Sequence, residues 1–221
     1  MKMKKGIICM LAGVFALLSN TSCAQNKRAQ ENRNKVTTNQ TESKSMTGKK
    51  VLVAFFSRTG ENYAVGNITK GNTHIIAEMI AEETGGELFE IVPVKEYPKT
   101  YDACVDVAKQ EQETGARPTV KNDVAVEDYD VVFIGYPIWW GDMPMPVYTF
   151  IEKHDWTGKT VIPFCTHEGS GLSGTERNIA NACKGATVGK GLAVRGATAQ
   201  NKQEQARRSV LDWIKSWASN R

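Results

Sequence analysis

In the stretch Val51-Leu52-Val53-Ala54-Phe55-Phe56-Ser57-Arg58-Thr59-Gly60, an apolar run passes directly into a short polar loop that ends in glycine. The apolar half is rich in β-branched and aromatic residues and predicts a buried strand. The loop therefore follows the carboxyl end of a strand, where α/β proteins bind ligands. A second polar piece, Gly71-Asn72-Thr73, opens an amphipathic stretch. Without the residues from Glu61 to Gly71, the two pieces would form one continuous loop leading into a helix.

The residue types in these two pieces suit a phosphate. Hydroxyl groups, glycines and unpaired backbone N–H groups at a helix N-terminus can together surround a phosphate, and the positive end of the helix dipole attracts it. We therefore interpret the two pieces as one phosphate-binding loop interrupted by an insertion. The same residue types also form ordinary strand-to-helix turns and helix caps, so the loop alone leaves both interpretations open.

Short β-rich apolar runs alternate along the chain with amphipathic stretches of helical length. Strict alternation of strand and helix predicts right-handed crossovers and a parallel sheet that is covered on both faces. The predicted strands are Val51 to Phe56, Glu87 to Ile91, Val131 to Gly135, Thr160 to Phe164 and Gly191 to Arg195. The predicted helices are Thr73 to Glu83, Thr100 to Glu113, Met145 to Lys153, Gly174 to Ala182 and Lys202 to Ser219.

Two further loops are expected at the same edge of the sheet. The loop after the third predicted strand contains the adjacent residues Trp139 and Trp140. A loop offers little core in which to bury two indoles, so the pair indicates a flat ligand, with one indole expected to pack against the protein. The loop after the fourth predicted strand, Cys165-Thr166-His167-Glu168-Gly169-Ser170-Gly171, provides hydroxyls and small residues for the edge of a ring. His167 has no partner histidine at a ligand spacing, so no metal site is predicted.

The three loops together resemble those of the flavodoxin family, in particular its exported branch. The resemblance rests on the phosphate-type loop, on Gly135-Tyr136-Pro137-Ile138-Trp139-Trp140-Gly141 and on Pro163-Phe164-Cys165-Thr166-His167, and it covers essentially all of Lys49 to Ser219. It implies a flavodoxin-like α/β fold, a doubly wound five-stranded parallel sheet of order 2-1-3-4-5 with helices on both faces. It also implies one noncovalently bound FMN, with the phosphate in the first loop and the ring between the other two.

The resemblance also implies which residues bind the cofactor. Because the insertion interrupts the phosphate loop, Asn62 or Tyr63 is expected to replace one contact. No side chain is implied as a catalytic residue, since the flavin carries the chemistry. The implied FMN-binding residues are Ser57, Arg58, Thr59, Gly60, Asn62, Tyr63, Asn72 and Thr73 at the phosphate end, and Pro137, Ile138, Trp139, Trp140, Gly141, Thr166, His167, Glu168, Gly169, Ser170 and Gly171 around the ring.

In function, the resemblance implies an FMN-binding redox protein that transfers electrons, either as a flavodoxin-type carrier or as a small FMN-dependent reductase of quinone-like or other small acceptors. The sequence identifies neither the electron donor nor the acceptor. Residues 49–221 carry 20 Lys and Arg against 22 Asp and Glu, a net charge of −2, whereas typical flavodoxins are strongly acidic. This mild charge favours an enzyme acting on a small molecule. The interrupted phosphate loop leaves one alternative, a surface-anchored ligand-binding protein of the same fold without redox activity.

The N-terminal segment has the pattern of a secretion leader. Three lysines among the first five residues precede the apolar run Ile7 to Leu18, which predicts a leader over residues 1–23. The sequence Asn20-Thr21-Ser22-Cys23 resembles the site at which bacterial lipoproteins are lipidated on cysteine, with plain cleavage after Ser22-Cys23-Ala24 as the alternative. Residues 24–48 predict a disordered polar tether, and residues 49–221 the FMN-binding domain. We therefore expect an exported protein, anchored through lipidated Cys23 in a bacterial cell envelope on its periplasmic or surface side.

Charge and cysteine content exclude other classes of function. The formal net charge of +4 arises in the leader and tether, and no basic patch with interleaved aromatic residues follows, so nucleic-acid binding is not expected. Three cysteines fall in the predicted domain, Cys104, Cys165 and Cys183, without a Cys-x-x-Cys spacing. This pattern predicts neither a zinc cluster nor a disulfide framework.

Overall fold

The computed structural model describes Met46 and residues 48–219 of the chain. The predicted leader, Cys23 and almost all of the predicted tether lie outside the described residues. By its backbone contacts the chain divides into Met1–Thr41 and Glu42–Arg221, and all described residues belong to the second unit. Among the helices described, none combines the length and apolar character needed to cross a membrane.

A parallel sheet forms the centre of the fold. Its strands are β1 (Val51–Phe55), β4 (Glu87–Glu90), β5 (Val131–Pro137), β6 (Thr160–His167), β7 (Thr187–Val188) and β8 (Leu192–Arg195). The strands are ordered β4-β1-β5-β6, and both β7 and β8 pair with β6. This order confirms the predicted doubly wound sheet, 2-1-3-4-5, with the fifth position shared by two short strands.

The fifth position differs from the prediction because its strand is broken. The strand β7 pairs with the start of β6, and β8 pairs with the end of β6. Between them, the backbone N–H of Gly191 donates to a carboxylate oxygen of Glu176 at 2.7 Å instead of continuing the ladder. The predicted strand from Gly191 to Arg195 therefore corresponds to β8, and β7 was not predicted.

Helices cover both faces of the sheet. They are α1 (Asn72–Thr84), α2 (Tyr101–Thr114), α3 (Met145–Glu152), α4 (Thr175–Ala182), α5 (Gly196–Asn201) and α6 (Gln203–Ser219), with a short 3₁₀ turn at Val126–Asp128. One apolar cluster packs α1, α5 and α6 on one face, and a second packs α2, α3 and α4 on the other. All five predicted helices are present, within two residues of their predicted ends, and α5 is additional.

The two clusters follow from the alternation of side chains along the buried strands. In β1, Val53 and Phe55 point to the α1 face while Leu52 and Ala54 point to the opposite face, and all of them are buried. Burial of each large apolar side chain contributes about 1.5–3 kcal/mol. Because helices cover both faces of the sheet, the sequence of β1 is a continuous apolar run and does not alternate between apolar and polar residues.

The insertion in the phosphate loop forms a small antiparallel hairpin, here called the insertion hairpin (residues 60–68). Its strands are β2 (Gly60–Asn62) and β3 (Gly66–Ile68), paired with Gly60 opposite Ile68. The turn includes Ala64 at φ 65°. Because its two ends are paired, the hairpin lengthens the chain without separating the two halves of the loop.

Candidate functional site

A cavity of about 300 Å³ opens beyond the carboxyl ends of β1, β5 and β6. In a doubly wound sheet, this edge is where ligands bind. The three loops predicted to meet there do meet there, and α2 forms a further wall. The residues that line the cavity are Arg58, Asn62, Tyr63, Asn72, Tyr101, Cys104, Val105, Ala108, Pro137, Ile138, Trp139, Trp140, Thr166, His167 and Glu168.

At one end of the site, the two halves of the phosphate-type loop meet at the N-terminus of α1. Gly71 caps this helix without a side-chain hydrogen bond, and the first turn contains no acidic residue. The Ser57 hydroxyl accepts a hydrogen bond from the backbone N–H of His74 at 3.1 Å. A methyl group on Gly71 would lie 2.1 Å from that hydroxyl oxygen, so only glycine permits this approach. The remaining first-turn amides and the helix dipole favour an anion here.

Asn72 and Thr73 are held in place from neighbouring elements. The side-chain amide of Gln200, in α5, donates to the Asn72 side-chain oxygen at 2.9 Å. A methyl group on Gly196 would lie 2.2 Å from the Asn72 side-chain nitrogen. The Thr73 hydroxyl hydrogen-bonds that of Thr166 at 2.8 Å, which joins the phosphate end of the site to the end of β6. The short helix α5, which the sequence pattern missed, thus orients Asn72.

Arg58 lines the cavity, but its guanidinium donates to backbone carbonyls. Its Nη2 lies 2.7 Å from the Pro98 oxygen, and Nη2 also donates to the oxygens of Lys99 and Thr100 at 2.9 and 3.1 Å. Its Nη1 donates to the carbonyl of Glu61 in the insertion hairpin. Arg58 therefore ties the loop after β1 to the segment that precedes α2.

The insertion hairpin is attached to the start of α2. The backbone N–H of Glu61 donates to the Lys99 oxygen at 2.8 Å, and the Glu61 carboxylate accepts from the backbone N–H of Tyr101 at 2.9 Å. These contacts bring the Tyr63 ring to 6.0 Å from the Tyr101 ring. Lys99 also donates from Nζ to the Thr59 hydroxyl at 3.2 Å.

The tryptophan loop makes a tight turn. Trp139 and Asp142 exchange backbone hydrogen bonds at 2.8 and 3.0 Å, and the two residues between them have positive φ, 51° at Trp140 and 78° at Gly141. The Trp139 indole packs edge-on against Phe56 and Tyr97, with ring centroids 5.3 and 5.0 Å away. The expectation that one indole packs against the protein is therefore confirmed for Trp139.

Trp140 lies on the outside of the same turn and is 50% exposed. Its indole N–H donates to the Val105 carbonyl of α2 at 3.1 Å, and Lys109 Nζ lies 5.3 Å from the ring centroid. A positive φ is unusual for a bulky residue, so the turn holds Trp140 in a strained conformation. Strain of this kind is concentrated at functional sites.

Asp142 fixes the tryptophan loop to its surroundings. Its carboxylate accepts hydrogen bonds from the backbone N–H of Met143 at 2.8 Å, from the Tyr148 hydroxyl at 2.9 Å and from the Asn178 amide at 3.0 Å. Burial, with the hydrogen bond to Asp142 second, raises the pKa of Tyr148 well above its ordinary value. Tyr148 therefore remains a donor to Asp142 over the physiological pH range.

His167 organises the loop after β6. Its Nδ1 accepts hydrogen bonds from the backbone N–H groups of Gly169 and Gly171, at 2.9 and 3.1 Å, so Nδ1 carries no proton. Burial and, second, the Arg195 guanidinium hold the pKa of His167 below its ordinary value, and Glu168 opposes them. Gly169 and Gly171, small residues expected at the edge of a ring, therefore have their amides bound to the imidazole.

Glu168 lines the cavity and is held by two partners outside its own loop. Its carboxylate accepts a hydrogen bond from the backbone N–H of Ala197 at 2.7 Å, in the first turn of α5, and lies 3.9 Å from the Arg195 guanidinium. A helix N-terminus and a guanidinium both stabilise a carboxylate. Glu168 therefore joins the ring-side loop to the helix that orients Asn72.

The structure brings most of the predicted site residues together. Eleven of them line the cavity, and the other eight, in the same loops, do not. Sequence reasoning missed the contribution of α2, from which Tyr101, Cys104, Val105 and Ala108 line the wall. Within the described ranges, no group of His, Cys, Asp and Glu is arranged to hold a metal ion. The eight that do not line the cavity are Ser57, Thr59, Gly60, Thr73, Gly141, Gly169, Ser170 and Gly171.

Comparison with known proteins identifies the family. A family model described as flavodoxin matches residues 50–210. The chain belongs to the flavodoxin family. This membership confirms the resemblance noted for the three loops, and the sheet order agrees with it. Curated protein sequences give no match to the chain.

Several solved structures resemble this member of the flavodoxin family. A putative flavoprotein from Bacteroides uniformis ATCC 8492 is 33% identical, with 76% of this chain and 99% of that chain covered and a TM-score of 0.59. A putative flavoprotein from Bacteroides eggerthii DSM 20697 is 29% identical, with 77% and 98% covered and a TM-score of 0.60. A flavoprotein from Lactobacillus acidophilus NCFM, solved in complex with FMN, is 23% identical, with 71% and 99% covered and a TM-score of 0.52, and it shares the fold.

Proposed function

We propose that this chain binds FMN noncovalently and transfers electrons to a small acceptor as an FMN-dependent reductase. One observation carries the proposal: three loops of a flavodoxin-family sheet meet around one cavity, with the N-terminus of α1 at one end and a tryptophan loop at the other. FMN has the matching shape, since it joins a charged phosphate to a flat ring. When bound, it would supply the redox chemistry itself.

The residues at the phosphate end fit a phosphate. Gly71 and Gly196 stand where a methyl group would collide with Ser57 and Asn72, so the backbone approaches the site closely. The N-terminus of α1 presents amides and a dipole to an anion, and no acidic residue of its first turn opposes it. Because the guanidinium of Arg58 donates to carbonyls, we assign Arg58 the role of holding the wall of the cavity rather than the phosphate.

The residues at the other end fit a flat ring. Pro137, Ile138 and Trp140 contribute apolar lining to the cavity, and Thr166 and His167 contribute polar lining. With Nδ1 occupied by two amides, the imidazole of His167 carries its proton on Nε2 and can donate it to an acceptor atom. The apolar lining excludes water from the ring, and the polar lining orients it.

Two observations favour a reductase over an electron carrier. Residues 49–221 carry a net charge of only −2, which gives little attraction to a basic protein partner. In addition, α2 and the insertion hairpin enclose part of the cavity with side chains, as expected for a small-molecule site. The interruption of the phosphate loop had suggested a ligand-binding protein without redox activity. Because the insertion hairpin leaves the two halves of the loop in contact, it no longer favours that alternative.

The experiment combines a flavin titration with rapid kinetics. The purified chain is titrated with FMN, and binding is followed by quenching of flavin fluorescence. The FMN-loaded chain is then mixed with NADH or NADPH in a stopped-flow instrument. Rapid two-electron bleaching of the flavin bands is the result expected for a reductase. Flavin binding without bleaching would instead support a carrier, and absence of flavin binding would refute both.

We further propose, from the sequence, that the chain is exported and anchored through lipidated Cys23. The leader pattern and the Asn20-Thr21-Ser22-Cys23 site support this proposal. Metabolic labelling with a radioactive fatty acid should mark the wild-type chain and leave a Cys23→Ala variant unlabelled. Equal labelling of the two chains would refute the anchor.

A further inference from the structure

Exposed aromatic side chains are concentrated around the cavity. Among the described residues, five large hydrophobic side chains are exposed, and three of them line it: Tyr63 at 64%, Trp140 at 50% and Tyr101 at 39%. The other two, Leu88 and Val94, do not line it. Exposed apolar groups gathered at one place on a monomer mark a binding surface.

Tyr63 and Tyr101 are arranged as a pair. Their ring centroids lie 6.0 Å apart with 33° between the ring planes. Tyr63 comes from the turn of the insertion hairpin, and Tyr101 begins α2. The pair therefore exists only because the hairpin is inserted between the two halves of the phosphate loop.

Hydrogen bonds between the insertion hairpin and the start of α2 fix the backbone on which the two tyrosines stand. Glu61 joins the hairpin to the backbone N–H of Tyr101, and Arg58 donates to carbonyls on both sides of the junction. A surface fixed in advance loses little conformational entropy when a ligand binds. The two tyrosines thus suit recognition better than rings on a loosely held loop would.

We propose that Tyr63 and Tyr101 form an aromatic subsite that binds a neutral, electron-poor planar ring of the quinone class. Electron-rich tyrosine rings stack favourably, in an offset geometry, on electron-poor rings. The Lys109 ammonium over Trp140 disfavours a cationic ligand on the same side of the cavity. The subsite rests on the proposed function, in which FMN binds between the three loops and the quinone is the electron acceptor.

The test measures binding rather than turnover. Menadione, a small neutral quinone, is titrated by calorimetry into the full chain, both loaded with oxidised FMN and free of FMN. Tyr63→Ala and Tyr101→Ala should each weaken menadione binding by about tenfold, the equivalent of about 1.4 kcal/mol. Tyr63→Phe should retain wild-type binding, because it keeps the ring. Leu88→Ala, which removes an exposed hydrophobic side chain elsewhere, is the matched control and should bind menadione as wild type does.

FMN affinity, measured separately by fluorescence quenching, distinguishes the two proposals. It should change by about twofold or less in Tyr101→Ala, because Tyr101 is not among the residues implied to bind FMN. Equal menadione affinity in the wild type and both alanine variants, or no menadione binding by the wild type, would overturn the subsite. Loss of FMN affinity alone would also overturn it, since the tyrosines would then hold the cofactor. A chain that binds menadione through the tyrosines but takes up no FMN would support the subsite and refute the proposed function.

Discussion

The two halves of the phosphate loop can lie in contact because residue 71 is a glycine and has no side chain. Adding a methyl group, in Gly71→Ala, would place Cβ 2.1 Å from the Ser57 hydroxyl oxygen and 2.7 Å from the Arg58 carbonyl oxygen. The loop must then move away from the N-terminus of α1. We expect FMN affinity to fall by about tenfold or more, as measured by quenching of flavin fluorescence.

The matched control is Gly85→Ala, at the other end of α1. Gly85 has φ 68° and nothing within 4 Å of its added Cβ, so alanine there is strained but meets no neighbour. We expect Gly85→Ala to lower the free energy of unfolding by about 1 kcal/mol and to leave FMN affinity unchanged. Equal FMN affinity in wild type and Gly71→Ala would contradict the role assigned to this end of the site.

The imidazole of His167 makes the ring-side loop sensitive to pH. The pKa of His167 is lowered in the folded chain, by burial and then by Arg195, and its ordinary value is about 6.5. Above that value both the folded and unfolded chains are neutral at this position, so no pH dependence arises from it. Below it the unfolded chain binds a proton that the folded chain resists, so stability falls as the pH falls.

Urea denaturation of wild type and His167→Gln, from about pH 7.5 down to about pH 5, checks this expectation. The wild-type midpoint should fall more steeply than that of the variant, because only the wild type must protonate Nδ1 and release the amides of Gly169 and Gly171. The other histidines are common to both chains and cancel in the comparison. Parallel curves for the two chains would rule out this contribution.

In the tight turn of the tryptophan loop, a single substitution should lower FMN affinity and leave the stability of the fold nearly unchanged. A turn with two positive φ angles favours Asn-Gly over Trp-Gly. In Trp140→Asn, relief of backbone strain, about 1 kcal/mol, should offset loss of the hydrogen bond to Val105. We expect the free energy of unfolding to stay within about 1 kcal/mol of wild type, while FMN affinity falls by about tenfold.

Trp140→Ala is the control for this turn. It removes the same indole but keeps a residue that disfavours φ 51°. Chemical denaturation should therefore find it about 1 kcal/mol less stable than Trp140→Asn, with the same loss of FMN affinity. Equal stability of the two variants would show that the turn stores no strain.

Local sequence pattern is sufficient to predict the strands and helices that carry strong periodicity. The run from Val51 to Phe56 is apolar, β-rich and followed by polar residues, and β1 occupies it. The insertion hairpin was missed because β2 and β3 have three residues each and lack alternating apolar positions. It is held by distant partners, since the Arg58 guanidinium and the Lys99 carbonyl fix it. Contacts of this kind produce no pattern in the sequence of the hairpin itself.

The candidate site was predictable to the extent that it follows strand ends. Loops after neighbouring parallel strands must meet at one edge, so Thr166 and Pro137 could be placed at the cavity in advance. The α2 wall could not, because helical periodicity does not tell which side of a helix faces a cavity. The hydrogen bonds of the Arg58 guanidinium could not be assigned either, because all of their carbonyl partners except that of Glu61 are about 40 residues away along the chain.

At the scale of the whole molecule, the folded unit includes Met46, which falls within the predicted tether. Its side chain is buried against the α1 face of the sheet, and its carbonyl accepts a hydrogen bond from the backbone N–H of Lys49 at 3.0 Å. A chain that begins at Lys49 should therefore be about 2 kcal/mol less stable to urea than one that begins at Glu42.

A substitution separates the contribution of this side chain from that of chain length. In the chain that begins at Glu42, Met46→Ala should reproduce most of the loss, and Met46→Leu should restore stability to within about 1.5 kcal/mol of wild type. If the chains beginning at Glu42 and Lys49 unfold at the same urea concentration, Met46 contributes nothing.

The sheet has two edges that are poorly suited to templating a further strand. At one edge, β4 is four residues long and begins and ends with glutamate, at Glu87 and Glu90. At the other, the break between β7 and β8 interrupts the backbone donors and acceptors. Short, charged or broken edges hinder edge-to-edge aggregation. The folded protein should therefore stay dispersed even when many copies are crowded together.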